Sequence, residues 1–385
     1  MPTTLTARYL HTSEGTLDRP VITIGEDGLI TGIHSDPSSR AEGALTPAFF
    51  DIHTHGAANH DVMHATPAEL GVVNRFLATR GVGQYLPTTV TAPIDQTLKS
   101  LETLADAIER HTARNEARPV GIHLEGPFIS HSKRGVHPPA DILAPDIALF
   151  DRFYQAARGQ IRLITIAPET PGALALIEHA TALGVKISLG HSNATTDEAL
   201  AGIEAGGASA THTFNAMRTL DHRDPGILGV VLDDDRLFAE LICDGVHVAP
   251  AMVRLWLKAK GPHKAILVTD SMSATGMPDG TYMLGTFKVQ VADGRCLAYN
   301  DVEGSKPSLA GSVLTLDRAV ANLQRFTGAT LSTAVRLATH NPAKMLGLQD
   351  SIANPVVGQP ANFNLFSPTG ELQSTFLYGE RVKAS

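Results

Sequence analysis

The sequence predicts a (β/α)8 barrel of the TIM type, flanked by a small β-sandwich built from both chain ends. Three observations carry this. Apolar, strand-like runs alternate with helix-like segments from residue 46 to residue 350, and eight such runs can be counted. Residues 1–45 and 351–385 instead read as short strands and turns. Five of the eight runs end in a side chain that binds metal or handles protons, which is how a barrel gathers a site at one rim.

Residues 5–10, 21–24 and 29–33 are strand candidates, and Glu26-Asp27-Gly28 is a hairpin turn signal. The barrel strands are expected at 44–52, 83–88, 120–124, 161–166, 186–189, 208–211, 238–242 and 265–268. Thr66-Pro67-Ala68-Glu69 opens the first helix with an N-cap, a proline at the first helical position and a capping box. Gly184 and Gly206 are C-terminal stops. Residues 282–299 read as a hairpin insertion, 312–325 and 332–346 as outer helices, and 361–366 and 372–377 as returning strands. The expected organisation is 1–45 and 351–385 in the sandwich, with 46–350 as the catalytic barrel.

Composition excludes several classes. With 43% apolar and 18% charged residues the chain is neither disordered nor a coiled coil. The net charge of −8 and the lack of a basic run argue against a nucleic-acid partner. No apolar run is long enough to span a membrane, and Met1-Pro2-Thr3-Thr4 lacks the form of a signal peptide. Two cysteines, Cys243 and Cys296, make no disulfide framework, so a cytoplasmic location is expected.

His53 and His55, in Asp51-Ile52-His53-Thr54-His55-Gly56, are two apart and share one face of a strand. Glu125 precedes Gly126-Pro127 at a strand end, where a buried acid needs a cation; Lys133 or Arg134 would be the alternative partner. His191 and His212 stand at the tips of the fifth and sixth runs, one βα unit apart. With Glu125 they make two imidazoles and a carboxylate, the open ligand set of a catalytic zinc. If His53 and His55 also bind, a second divalent metal fits beside the first, bridged by Glu125. Asp270 ends the eighth run and is placed to take a proton from water; the alternative is an N-cap for the next segment.

These residues resemble the amidohydrolase superfamily, and within it they are most similar to the N-acetylglucosamine-6-phosphate deacetylases. The likeness spans nearly the whole chain. It is carried by the segment around His53 and His55, His123-Leu124-Glu125-Gly126-Pro127-Phe128, Leu189-Gly190-His191-Ser192, Thr211-His212-Thr213-Phe214-Asn215-Ala216-Met217, Asp244-Gly245-Val246-His247 and Thr269-Asp270-Ser271-Met272. Ala48 departs from the glycine usual there. The resemblance implies Glu125, His191 and His212 on a primary metal and Asp270 as acid and base. The ion is expected to be zinc, with iron, manganese or cobalt as alternatives. One or two ions are expected, since some members lose the first two histidines. The resemblance further implies substrate contacts from His137, His247, Asn215, the backbone N–H of Ala216, Arg223 and the loop containing Leu309. Arg223 would hold the phosphate, unless it pairs with Asp221 or Asp224. A homodimer that shares active-site residues is expected.

The implied reaction is hydrolysis of the N-acetyl group of N-acetylglucosamine 6-phosphate, with His137 helping to stabilise the tetrahedral intermediate. The rivals are a deacetylase for the galactosamine epimer or another acylated amine, a cyclic amidase, and a non-enzymatic sugar-binding barrel. Cyclic amidases of this superfamily bridge two metals with a carboxylated lysine at the tip of strand four. Here that tip reads Ile164-Thr165-Ile166-Ala167-Pro168-Glu169, without lysine.

Overall fold

Eight parallel strands form a nearly closed ring in the computed structural model, which describes residues 3–298 and 307–383. They are β1 (Phe49–Thr54), β2 (Val82–Thr89), β3 (Ile122–Glu125), β4 (Ile161–Ile166), β5 (Lys186–Leu189), β6 (Gly207–Ala210), β7 (Phe238–Ile242) and β8 (Ala265–Val268). Each pairs in parallel with the next along the chain. At the C-terminal rim the ring is completed by the Asp270 N–H to the His53 carbonyl (2.9 Å) and the His55 N–H to the Ser271 carbonyl (2.7 Å).

Helices α1 (Pro67–Thr79), α2 (Ile94–Arg110), α3 (Ile147–Ala156), α4 (Ala173–Ala182), α5 (Thr196–Glu204), α6 (Gly226–Asp233), α7 (Pro250–Lys264) and α8 (Leu316–Thr327) form the outer layer. Their packing follows their apolar stripes: α2 buries Leu101, Leu104, Ala105 and Ile108, spaced as one helical face. The capping box expected at Thr66 and Glu69 is present. Gly184 and Gly206 both adopt positive φ beyond the ends of α4 and α5.

Three expected elements are divided differently. The run 44–52 serves two sheets: Ala44–Pro47 pairs with Phe363–Phe366, and only from Phe49 does it join the barrel. The methyl group of Ala48 faces Gly83, where a second Cβ would approach to 2.8 Å. The helix expected from 312 begins at Leu316, because the rim claims the preceding backbone: the Ser312 N–H bonds the Asp270 carbonyl at 2.7 Å. The helix expected over 332–346 breaks at Thr339 (φ −135°, ψ −77°) into Leu331–Ala338 and His340–Leu346. Pro342 has no N–H to give to the Ala338 carbonyl, which accounts for the break.

The chain ends do pair with each other. A six-stranded sheet runs from Glu380–Arg381 through Leu372–Leu377, Phe363–Phe366, Ala44–Pro47 and Tyr9–His11 to Thr16–Asp18. A three-stranded sheet of Thr3–Thr6, Pro20–Ile24 and Ile30–Ser35 packs on it through Leu5, Ile22, Ile24, Leu45 and Phe363. The insertion after β8 is a four-stranded sheet, Gly280–Leu284, Phe287–Ala292, Arg295–Ala298 and Ser308–Leu309. Of the hairpin expected over 282–299, residue 299 lies outside the described residues. Cys243 and Cys296 are free and buried. Among the described residues no helix is long and apolar enough to cross a membrane.

Barrel interiors of this type are filled mainly by branched aliphatic side chains. Here the axis is polar near the rim: Asp51, His123, Thr165, Ser188, Ser209, Thr211 and Glu240 are all fully buried.

Candidate active site

The site is built on strand ends at the C-terminal rim. His53 lies within β1 and His55 just beyond it; Glu125 ends β3. His191, His212 and Asp270 each follow a strand by two residues, after β5, β6 and β8. All three adopt left-handed backbone, with φ of 47°, 28° and 50°. Non-glycine residues held there cost about 1–3 kcal/mol each and persist only where the surroundings enforce them. The rim thus gives up stability to turn these side chains inward.

Two groups of ligand atoms result, each within 4.8 Å of one another: Glu125, His191 and His212, and His53, His55 and Asp270. In the first, His191 Nε2 and His212 Nε2 are 3.1 Å apart and each is 3.2 Å from Glu125 Oε1. In the second, His53 Nε2 is 3.3 Å from His55 Nε2, and Asp270 Oδ1 is 3.1 Å from His55 Nε2 and 3.6 Å from His53 Nε2. Glu125 faces both groups, with Oε1 3.5 Å from His53 Nε2 and Oε2 3.3 Å from His55 Nε2. A tetrahedral ion with bonds of about 2.0–2.1 Å spaces its ligands roughly 3.3–3.4 Å apart, so both groups fit one.

The electrostatics agree. Burial pulls His53 and His55 down, but the charges of Glu125 and Asp270 outweigh it, holding His53 well above its ordinary value and His55 at about 9. Burial pushes Glu125 and Asp270 up, yet the facing imidazoles keep both below the usual carboxylate range. The carboxylates therefore create a field that favours a cation.

His137 differs. Burial, then the charge of His191, pushes it down to about 3. Its Nδ1 accepts the Thr91 N–H (3.3 Å), which leaves the ring proton on Nε2. His247 is raised: burial lowers it, but the Asp244 carboxylate, with Oδ2 2.6 Å from its Nδ1, raises it more. These groups open into a cavity of about 160 Å³ lined by His55, Glu125, His137, His191, His212 and Asp270 on its floor and by Asn215, Ala216, His247, Leu284 and Leu309 on its walls.

The amidohydrolase family profile matches residues 44–382. The chain belongs to the amidohydrolase family. It is 36% identical over 379 residues, 98% of each chain, to the N-acetylgalactosamine-6-phosphate deacetylase of Escherichia coli O157:H7. It is 34% identical over 382 residues, 97% of this chain and 93% of the relative, to the N-acetylglucosamine-6-phosphate deacetylase of Vibrio furnissii. A solved Mycobacterium smegmatis N-acetyl-D-glucosamine-6-phosphate deacetylase, an aspartate-to-alanine variant in complex with N-acetyl-D-glucosamine-6-phosphate, superposes with a TM-score of 0.91 and 32% identity over the whole of both chains. This amidohydrolase is accordingly a hydrolytic enzyme that uses a divalent metal.

Most of the residues read from sequence meet in this cavity. Glu125 pairs with histidines; among the described residues it has no ion pair with Lys133 or Arg134. Among the described residues Asp270 caps no helix, the next one starting at Leu316. His53 sits beneath the floor, fully buried. Arg223 is the exception: it is on an exposed loop and does not line its own chain's cavity. Nor does it pair with the neighbouring acids. Asp224 is taken by Arg218, and Asp221 accepts the Arg223 backbone N–H. The sequence assigned no role to Glu240, Thr91 or Leu284, and none to Asp244 beyond its place in the segment that ends at His247. For Glu240 there was a signal: a single acid inside the apolar run Phe238-Ala239-Glu240-Leu241-Ile242.

Proposed function

We propose that this amidohydrolase removes the N-acetyl group of N-acetylglucosamine 6-phosphate, giving acetate and glucosamine 6-phosphate. The observation that carries the reading is the convergence of two metal-competent groups, one of them containing Asp270, at the floor of one cavity. Glu125, His191 and His212 would hold one divalent ion, and His53 and His55 a second, with Glu125 between them; zinc suits this donor set. Such an ion supplies Lewis acidity toward a carbonyl oxygen and lowers the pKa of water toward neutrality.

The chain's own groups do the rest. Asp270, held ionised, takes the proton of the attacking water and returns it to the departing nitrogen. His137, neutral and protonated on Nε2, donates to the developing oxyanion. Charged His247 and the Asn215–Ala216 turn fix the phosphosugar, with Leu284 and Leu309 packing against its apolar edge. The Arg223 guanidinium, exposed and outside its own cavity, reaches the phosphate of a neighbouring subunit. The working unit in this reading is a cytoplasmic homodimer.

The galactosamine epimer is the second reading, and the Escherichia coli relative favours it. Acetate release from N-acetylglucosamine 6-phosphate, N-acetylgalactosamine 6-phosphate and both unphosphorylated sugars separates the two. Highest kcat/KM on the glucosamine phosphate is expected. No release from either phosphate would overturn the deacetylase reading.

A further inference from the structure

We infer that Glu240 is a positioning residue that fixes the ring tautomer of His53 and so decides whether the His53–His55 half of the site retains its ion. This rests on the reading of His53 and His55 as metal ligands.

Glu240 is the middle residue of β7, and it points along the barrel axis instead of into the outer layer. It is fully buried. A carboxylate taken out of water costs several kcal/mol unless donors surround it. It has them: Ser188 Oγ at 3.2 Å and Ser209 Oγ at 3.4 Å donate to Oε1, and His53 Nδ1 lies 3.5 Å from Oε2. The hydroxyls are held in turn. Thr211 Oγ1 donates to Ser188 Oγ at 2.7 Å, Thr165 Oγ1 is 2.8 Å from Thr211 Oγ1, and His123 Nε2 is 2.8 Å from Thr165 Oγ1. Strands β3 to β7 therefore share one hydrogen-bonded chain that ends on His53.

Among the described residues, the other imidazoles read as metal ligands have no carboxylate behind them. His55 Nδ1 meets the Thr88 carbonyl at 3.0 Å, and His191 Nδ1 the Lys133 carbonyl at 2.9 Å. His212 Nδ1 has no partner among the described residues. His53 alone among these is backed by a carboxylate. A carboxylate accepts but cannot donate, so it places the proton on Nδ1 and leaves the Nε2 lone pair facing Glu125 and Asp270. Partners of this kind orient a ligating histidine and raise its basicity, and losing one lowers metal affinity about 10–100-fold.

The test is metal stoichiometry, not rate. Wild-type protein, Glu240→Gln and His53→Ala are loaded with Zn2+, dialysed against buffers of graded free zinc, and assayed by atomic emission. The wild type is expected to hold two ions per chain. Glu240→Gln should keep the first at unchanged affinity and lose the second with an affinity about 10–100-fold lower, tracking His53→Ala. Wild-type affinity for both ions in Glu240→Gln, loss of both ions together, or a wild type that binds a single ion would each overturn the proposal. Should Glu240→Gln not fold, 15N-histidine spectra of the unaltered zinc-loaded protein decide: a His53 proton on Nδ1 supports the assignment, and one on Nε2 overturns it. Failure of the deacetylase reading would show differently, as no acetate release by a protein with both ions bound.

Discussion

Asp270 faces the imidazoles of His55 and His53 across 3.1 and 3.6 Å, and these neighbours hold its carboxyl below the usual carboxylate range despite its burial. A group so held is ready as a base before substrate arrives. Asp270→Asn keeps the size of the side chain and removes the basic oxygen. Turnover is expected to fall about 10²–10⁴-fold, while the ion on Glu125, His191 and His212 stays bound by atomic emission; near-normal turnover would end the assignment. His247 offers a second test. Its ordinary value of 6.5 is raised despite burial, because Asp244 stabilises the charged ring. A charged ring binds an anionic substrate better, so KM should rise as pH climbs through that raised value. In Asp244→Asn the carboxylate is gone, the value falls, and the rise in KM should begin at lower pH. An unchanged KM profile in that variant would place His247 outside the substrate contacts.

At the scale of elements, the joint between the terminal sheet and the barrel falls on one glycine. Gly81 has φ +86°, and its carbonyl takes both the Phe49 N–H (2.8 Å) and Asn364 Nδ2 (2.9 Å). A Cβ there would lie 2.7 Å from Phe49 Cε2 and 2.8 Å from Asn364 Nδ2. Gly81→Ala should therefore destabilise by about 2–4 kcal/mol, from overpacking plus left-handed strain. The measurement is a denaturant midpoint. Because Gly81 precedes β2 at the end of the barrel opposite the rim, kcat of the folded variant should be unchanged. The same geometry explains what the sequence could and could not reveal. Barrel strands were legible because they are apolar runs ended by turn residues, and rim ligands because polar side chains come directly after those runs. The split of run 44–52 was not legible, since Ala44–Pro47 and Phe49–Thr54 are equally buried throughout and only pairing separates them. Glu240 was overlooked for a related reason. A strand buried on both faces shows no alternation to mark which of its residues face the axis.

Arg223 poses the question that belongs to the whole molecule. It is exposed, lies outside its own chain's cavity, and among the described residues makes no ion pair, although Asp221 and Asp224 flank it in sequence. In a twofold-symmetric dimer, a loop that leaves one cavity can complete the other. Mixing two defective homodimers tests this. Asp270→Asn lacks the base, and Arg223→Ala lacks the phosphate contact, so each is weak alone when assayed at substrate below KM. In a mixed dimer with crossing arginines, the cavity of the Arg223→Ala chain keeps Asp270 and receives Arg223 from its partner, so it is intact. The other cavity is doubly defective. Random exchange of equal amounts makes half the dimers mixed, so activity should recover to about one quarter of wild type. If each arginine served its own cavity, no mixed dimer would contain an intact site. Activity would then stay at the mean of the two variants, and the shared-site dimer would be ruled out.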